Sequence, residues 1–182
     1  MTRRSPTPQE LREFLRYEPK TGKLFWKPRD VSFFKTDRAC NSWNAKYENK
    51  EALTACKSGG YRHGCILSRQ HLAHRVAWAL HHGVWPSDQI DHINGDTADN
   101  RILNLRVVTP QENQMNTKMR RNNTSGVMGV GWRNDMAKWA ANIQIEGRRK
   151  HLGLFEDKSD AIAARSEAEA QYNFHENHGR LA

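Results

Sequence analysis

The stretch from Ile90 to Asn116, IDHINGDTADNRILNLRVVTPQENQMN, decides how the centre of this 182-residue chain is interpreted. It opens with a carboxylate next to an imidazole, Asp91 and His92, and it contains two carboxamides, Asn104 and Asn113. An imidazole beside a carboxylate, joined by an amide oxygen from a helix, can bring a general base and a divalent cation to one phosphodiester. The stretch therefore points to hydrolytic chemistry on a nucleic acid.

Local patterns in this stretch predict a strand, a polar loop, a second strand and a helix, in that order. Gln89–Ile93 is predicted to be a short strand and Leu103–Val108 a second one, with a polar loop between them. Thr109-Pro110-Gln111-Glu112 is a capping box, so a helix is predicted to begin at Pro110. Asn113 then lies in the first turn of that helix.

Each of the four polar residues suits a distinct task in phosphodiester hydrolysis. His92 is the candidate base, because the unperturbed pKa of histidine lies near neutral pH. Asp91 and Asn113 offer the hard oxygens that Mg²⁺ prefers, and the Asn104 amide can donate and accept at once to tie the loop. Neighbours on a regular strand face opposite sides, so Asp91 and His92 share a site only where the strand ends or twists. These residues alone equally fit a turn whose Asp and Asn side chains bond their own backbone.

The same residues resemble the HNH (ββα-metal) nuclease motif, in the phage-type branch whose last position is Asn instead of His. The motif has an Asp-His pair, a central Asn and a closing His or Asn, and Asp91-His92, Asn104 and Asn113 stand in those places. Further similarity lies in the segments 73–78, 99–101, 104–106 and 112–113. Residues 17–22, YEPKTG, are also similar to the amino ends of phage HNH homing endonucleases.

The resemblance implies a DNA endonuclease of the homing class that leaves 5′-phosphate and 3′-hydroxyl ends. His92 would activate water, with Asn104 as its structural support in the catalytic motif. Asp91 and Asn113 would hold one metal ion per active site, Mg²⁺ or Mn²⁺.

Four more side chains near the motif are candidates for supporting roles. Arg75, Arg101 and Arg106 are predicted to bind DNA as phosphate clamps, and ordinary surface charge is the equal alternative. His74 recurs in such proteins by resemblance, but a packed or solvent-facing histidine is the preferred interpretation over a metal ligand.

The charge of the chain favours a polyanionic partner. There are 29 Lys and Arg against 20 Asp and Glu, a formal charge of +9. Residues 118–150 hold eight Lys or Arg and only two acidic residues. No apolar run approaches the roughly 18 residues needed to span a bilayer, which argues against a membrane partner.

The last third of the chain predicts three strands and a helix. The strands are expected at 127–133, 138–146 and 148–154, with a helix from about 157 to 174. This region resembles the plant ethylene-response-factor (APETALA-type) DNA-binding domain, whose exposed sheet face enters the major groove. Met128 and Gly131 replace arginines of that family, so its GC-rich preference is not carried over. Matching positions, together with Lys138, give the predicted DNA-binding set Arg133, Lys138, Asn142, Gln144, Arg149 and His151.

The amino-terminal third is less regular. A capping box at Thr7–Glu10 predicts a helix from Pro8 that carries Leu11, Phe14 and Leu15 on one face. Residues 28–57 are expected to form long loops with at most one short element. A strand is predicted at 61–67, a turn at 68–70 and a helix with apolar positions Leu72, Val76 and Leu80.

The expected fold class is α+β, a ββα-metal HNH module followed by a three-stranded antiparallel sheet packed on one helix. The domains are predicted as residues 1–117, with the ββα-metal core at about 72–117, a linker at 118–126 and a DNA-binding domain at 127–182. Three cysteines without a C-x-x-C pair favour reduced thiols over a zinc site.

The function predicted from the sequence is a metal-dependent nuclease acting on double-stranded DNA, encoded by a phage and working as a monomer in the host cytoplasm. A non-enzymatic, sequence-specific DNA-binding regulator on a nuclease-like scaffold is the main alternative. An RNA-binding module is a third possibility, which the absence of a stacking aromatic pair on the predicted sheet disfavours.

Overall fold

A computed structural model describes residues 4–114, 119, 123–145, 147–174 and 178. The chain forms two compact units, residues 1–108 and 109–182. The predicted α+β class is confirmed. Four of the nine residues of the predicted linker, 118 and 120–122, lie outside the described residues, and the domain bounds stay a prediction.

The first unit alternates short helices with antiparallel hairpins. Its helices are α1 (Pro8–Phe14), α2 (Asp37–Tyr47) and α3 (Ala73–His82), with 3₁₀ turns at Val31–Phe33 and Ile102–Asn104. Its strands are β1 (Leu15–Glu18), β2 (Lys23–Trp26), β3 (Ala55–Cys56), β4 (Arg62–Ile66), β5 (Arg69–Leu72), β6 (Gln89–His92) and β7 (Leu105–Val108). They pair as β1-β2, β3-β4-β5 and β6-β7.

One apolar core holds most of this unit together. Leu11 of α1, Leu24 of β2, Ile66 of β4 and Val76 of α3 are among its fully buried side chains. Each such side chain contributes about 1.5–3 kcal/mol of transfer free energy on burial. The core therefore fixes α3, on which the β6-β7 hairpin packs through Ala77.

Three predictions about the amino-terminal third were wrong in detail. Leu15 does not extend α1; it begins β1, where it pairs with Trp26 and is still buried in the same core. The predicted turn at 68–70 lies at Leu67-Ser68, both with positive φ, so that Arg69 already belongs to β5. In each case antiparallel pairing of a short strand overrides the local pattern.

The third error concerns residues 28–57, where the structure has the 11-residue helix α2 instead of long loops. Thr36 caps this helix by accepting a hydrogen bond from the Ala39 backbone N–H. Cys40 is its one buried residue within the described part of the chain. A helix with so narrow an apolar stripe carries little periodicity for sequence reasoning to detect.

The second unit begins with α4 (Pro110–Gln114), followed by β8 (Val130–Arg133), β9 (Lys138–Ile145), β10 (Arg148–Phe155) and α5 (Lys158–Gln171). The strand order is β10-β9-β8, antiparallel throughout. The predicted sheet and helix are thus confirmed. Val130, Ala141 and Ala161 form the core between the sheet and α5.

A buried arginine that the sequence pattern did not reveal joins α5 to the sheet. Arg165 is 3% exposed, and its guanidinium donates to the Asn142 carbonyl (2.7 Å) and to the Glu169 carboxylate (2.9 Å). Gly129, at φ +80°, passes so close that a Cβ atom would lie 2.3 Å from the same carbonyl oxygen. Only glycine fits there, because the backbone is left-handed and the space is filled.

Candidate active site

The β6-β7 hairpin carries the Asp-His pair at the end next to its connecting loop. Register pairs Asp91 with Arg106 and His92 with Leu105. Ile90 and Leu105 are buried on α3, and they anchor the hairpin. Asp91 and His92 are both buried, at 7% and 3% exposure, so the pair is held away from bulk water.

Asp91 is paired with a cation in its own hairpin. The Nε and Nη2 atoms of Arg106 both donate to Asp91 Oδ2, at 2.9 and 2.8 Å. The neighbouring strand therefore holds the carboxylate in one orientation and balances its charge. Arg106 therefore has a partner within the hairpin. Its role as a phosphate clamp stays a prediction.

His92 is oriented by a residue to which sequence reasoning gave no role. Its Nε2 lies 3.2 Å from Oδ1 of Asn100, which is itself buried. A carboxamide oxygen only accepts, so Nε2 carries the proton and Nδ1 keeps the lone pair that a base requires. Asn100 lies eight residues along the chain from His92, and only the fold of the loop brings the two together.

The electrostatics around His92 keep its imidazole neutral. Burial lowers the pKa of His92, while the bond to Asn100 and the charge of Asp91 raise it and offset part of this effect. A neutral imidazole at physiological pH can accept a proton from water.

Asn104 ties the loop between the two strands. Its Oδ1 accepts from the Asn94 backbone N–H at 2.9 Å, and its Nδ2 donates to the Asp99 carbonyl at 2.8 Å. Asn94 and Asp96 also bond backbone N–H groups two residues onward, as a turn rich in Asp and Asn would. The loop thus contains the self-bonded turn of the alternative interpretation. The adjacent Asp91 and His92 have partners of their own, Arg106 in β7 and Asn100 in the loop.

The amino-terminal YEPKTG segment supports this loop from behind. The Tyr17 hydroxyl donates to the Asn100 carbonyl at 2.8 Å, and the Ile102 N–H donates to the Pro19 carbonyl at 3.3 Å. At Gly22, φ +75°, a Cβ atom would lie 2.5 Å from the Arg101 backbone nitrogen. This amino-terminal turn therefore helps to fix the partner of His92.

Two further rings pack on the imidazole. The ring of His74 lies edge-on to His92 with centroids 5.1 Å apart, and Tyr61 lies 5.4 Å from His74 and 5.9 Å from His92. Nδ1 of His74 is buried without a hydrogen-bond partner. Burial, with smaller effects from His92 and Arg75, lowers the pKa of His74 to about 3. His74 is therefore a packed, neutral ring in this structure.

The low pKa of His74 predicts that acid destabilises the protein. An unfolded histidine titrates near pH 6.5, so the unfolded chain binds more protons than the folded one between pH 6.5 and about 3. The stabilising effect is complete above pH 6.5 and is lost by about 1.4 kcal/mol per pH unit as pH falls. The free energy of unfolding, measured with urea, should therefore be about 2 kcal/mol lower at pH 5 than at pH 7 because of this group. In His74→Phe the free energy of unfolding should differ less between pH 7 and pH 5 than in wild type. An equal difference would show that His74 does not cause the effect.

The other predicted phosphate clamps also have partners in the protein. Arg75 donates to the carbonyls of Asp88 (2.8 Å) and Pro86 (3.2 Å), which fixes the segment entering β6. Arg101 forms two bonds to the Asp99 carboxylate and is otherwise exposed. Arg75 thus has a structural task here, while Arg101 stays accessible.

In the second unit the register places the whole predicted DNA-binding set on one face of the sheet. Trp139, Ala141 and Ile143 alternate toward α5, so the intervening positions of β9 face the other way. Cross-strand pairs on this open face are Arg133↔Lys138, Asn142↔His151 and Gln144↔Arg149. A bulge between His151 and Gly153 then turns Phe155 back toward the helix.

The donor set fits a metal ion that is held by few protein ligands. Among the described residues no group of three His, Cys, Asp or Glu could hold a metal. Mg²⁺ is commonly held by one or two protein oxygens together with water and phosphate, so a buried, oriented Asp91 fits it. Asn113 lies in the capped helix α4 of the second unit, and its assignment as a ligand rests on the sequence motif.

Comparisons with known proteins point to the same segment of the chain. Residues 71–115 match a family described as HNH endonuclease. Over 80 residues the chain is 34% identical to Protein 3.8 of Escherichia phage T7, across 43% of this chain and 66% of that relative, just under two thirds of its length. No solved structure matches. Residues 71–115 are therefore similar to an HNH endonuclease domain, and this similarity supports a nuclease function in general.

Within the described residues, no helix is both long and apolar enough to cross a membrane. The three cysteines are free thiols, Cys40 buried and Cys56 and Cys65 exposed.

Proposed function

We propose that this chain is a metal-dependent DNA endonuclease of the HNH homing class. The observation that carries the proposal is the buried His92 imidazole, whose Nε2 is bonded to Asn100 beside an oriented Asp91. That arrangement leaves Nδ1 as the proton acceptor for a water molecule that attacks the phosphodiester. Asn100 and Tyr17 act as positioning residues, since they fix the imidazole and its tautomer.

Asp91 and Asn113 would hold one Mg²⁺ or Mn²⁺ ion. When bound, such an ion polarises the phosphate and stabilises charge on the leaving oxygen. Arg106 keeps the Asp91 carboxylate oriented, and Asn104 keeps the loop closed. The protein's own groups thus supply the base and its orientation.

The substrate we propose is double-stranded DNA, read by the open face of the second unit. Its six polar side chains combine arginines, which can bond guanine edges, with Asn and Gln, which can pair with adenine. The resemblance to the ethylene-response-factor domain supports major-groove binding by this face. One active site per chain favours a monomer that nicks DNA, and the phage T7 relative favours the cytoplasm of an infected host.

One observation favours a second candidate, a DNA-binding regulator without catalysis. Arg106 already balances the charge of Asp91, so the carboxylate is satisfied within the hairpin. A scaffold that only binds DNA would have this ion pair and no metal.

Titration of Mg²⁺ in a DNA cleavage assay distinguishes the two candidates. Asp91→Ala and Asn113→Ala should each shift the activating concentration upward by a factor of at least about 10, or abolish cleavage, because each removes a metal ligand. Asp160→Ala, which removes an exposed carboxylate from α5, is the matched control and should leave the curve unchanged. Metal curves that coincide for all the variants would refute the ligand assignment, and wild-type protein without metal-dependent cleavage would favour the regulator.

A further inference from the structure

A pocket of about 470 Å³ in the first unit has no part in the site described above. Its volume lies within the range of small-ligand sites. The pocket opens between the segment after β2, helix α2 and the β4-β5 turn. Its lining includes four aromatic side chains around one arginine, together with an exposed leucine: Trp26, Phe33, Trp43, Tyr47, Arg29 and Leu67.

Arg29 brings a positive charge without a carboxylate into this pocket. Its guanidinium carbon lies 4.0 Å from the ring centroid of Trp43 and 5.2 Å from that of Trp26. Its Nε is buried without a hydrogen-bond partner, and no ion pair to it is present in the described part of the chain. Burial lowers the pKa of Arg29, although the guanidinium stays charged at any physiological pH. A desolvated cation of this kind attracts an anion.

The backbone of Arg29 is fixed, so the side chain is held in place before any ligand arrives. Asn44 of α2 accepts from the Arg29 N–H at 2.9 Å and donates to its carbonyl at 3.0 Å. The Cys40 thiol donates to the same carbonyl at 3.3 Å. This pre-organisation lowers the entropy cost of binding.

Exposed apolar groups line the mouth of the pocket. Phe33 is 46% exposed and Leu67 is 47% exposed, and the outer ring of Phe33 is supported edge-on by Phe14 at 5.0 Å. Around them, residues 27–50 contain six Lys or Arg against three acidic residues. Aromatic rings interleaved with basic side chains are what proteins use to hold unstacked bases and their phosphates.

We infer that this pocket binds one nucleotide of the DNA substrate that is extruded from the duplex and is thereby unpaired. The phosphate would pair with the Arg29 guanidinium, and the base would stack on the exposed ring of Phe33. The inference rests on the proposed function, because it assumes that DNA is the substrate. It gives the amino-terminal region a task in substrate binding that is separate from the sheet of the second unit.

Binding of a fluorescent 12-nucleotide single strand to the full-length protein in EDTA tests the inference without cleavage. Anisotropy is measured against salt concentration for Arg29→Met and Phe33→Ala. Arg29→Met should weaken binding on the order of 10-fold and lower the salt slope by about 0.7, since one phosphate contact is lost. Phe33→Ala should also weaken binding on the order of 10-fold, at an unchanged salt slope, since stacking is lost.

Arg16→Met is the matched control, because Arg16 also lies over an aromatic ring, 4.5 Å from the centroid of Phe25, but outside this pocket. It should bind the strand within about twofold of wild type. Circular dichroism checks the folding of each variant. If Arg29→Met does not fold, Phe33→Ala alone tests whether the pocket binds the strand. Wild-type affinity for both pocket variants, or equal losses in all three, would overturn the inference. Failure of metal-dependent cleavage would leave this result intact, so the two proposals are tested separately.

Discussion

His92→Ala should lower the rate of DNA cleavage by a factor of about 10²–10⁴ while DNA binding stays close to wild type. The rate falls because the variant loses the group that accepts the proton of the attacking water. Affinity should survive, because His92 is buried and the open sheet face lies in the second unit. Single-turnover cleavage with Mg²⁺ and a gel shift in EDTA measure the two properties on the same protein.

His82→Ala is the control for this substitution, since His82 is exposed at the end of α3 and belongs to neither proposed site. Its cleavage rate should match that of wild type. Parallel loss of cleavage and binding in His92→Ala would mean that His92 is structural. Full activity would remove it from the mechanism.

The second large effect is expected at the open face of the second unit. Replacing Arg133 and Arg149 by Gln removes two exposed cations from the predicted groove-facing surface. Duplex affinity should fall on the order of 10- to 100-fold at physiological salt, and the slope of log K against log salt should fall by about 1.8. Sequence preference should relax as well, because each bidentate contact to guanine contributes about 1–3 kcal/mol of discrimination.

A matched double variant distinguishes the effect of the open face from the effect of losing two positive charges anywhere on the unit. Arg148 and Lys158 are also exposed, but Arg148 alternates with Arg149 along β10 and Lys158 lies near Trp139 on the helix side. Arg148→Gln/Lys158→Gln therefore removes the same charge from the opposite face and should keep the wild-type salt slope. Equal slopes for the two double variants would contradict the proposal that the open face reads DNA.

Sequence reasoning predicted the elements that depend on short-range patterns. The capping boxes at Thr7 and Thr109 begin helices in the structure, and the period-2 alternation of β9 gives the sheet face directly. These signals succeed because each is completed by neighbours a few residues away. The motif positions of Asp91 and His92 likewise needed only the order of residues.

What the sequence did not reveal depends on contacts between distant residues. Asn100 becomes the partner of His92 only after the polar loop closes, and Tyr17 reaches Asn100 across 83 positions. Arg106 was expected to contact phosphate, yet its place opposite Asp91 follows from hairpin register. Helix α2 was missed because its stability comes from capping and ring contacts at Trp43 more than from an apolar stripe.

This chain is expected to cut DNA with the help of a divalent metal and His92. The most direct measurement is incubation of supercoiled plasmid or phage DNA with purified wild-type protein in Mg²⁺ and in EDTA, with His92→Ala purified in parallel to exclude a contaminating nuclease. We expect nicked or linear DNA with 5′-phosphate and 3′-hydroxyl ends from wild type in Mg²⁺ alone. Intact DNA in every lane, or equal cleavage by wild type and His92→Ala, would contradict it.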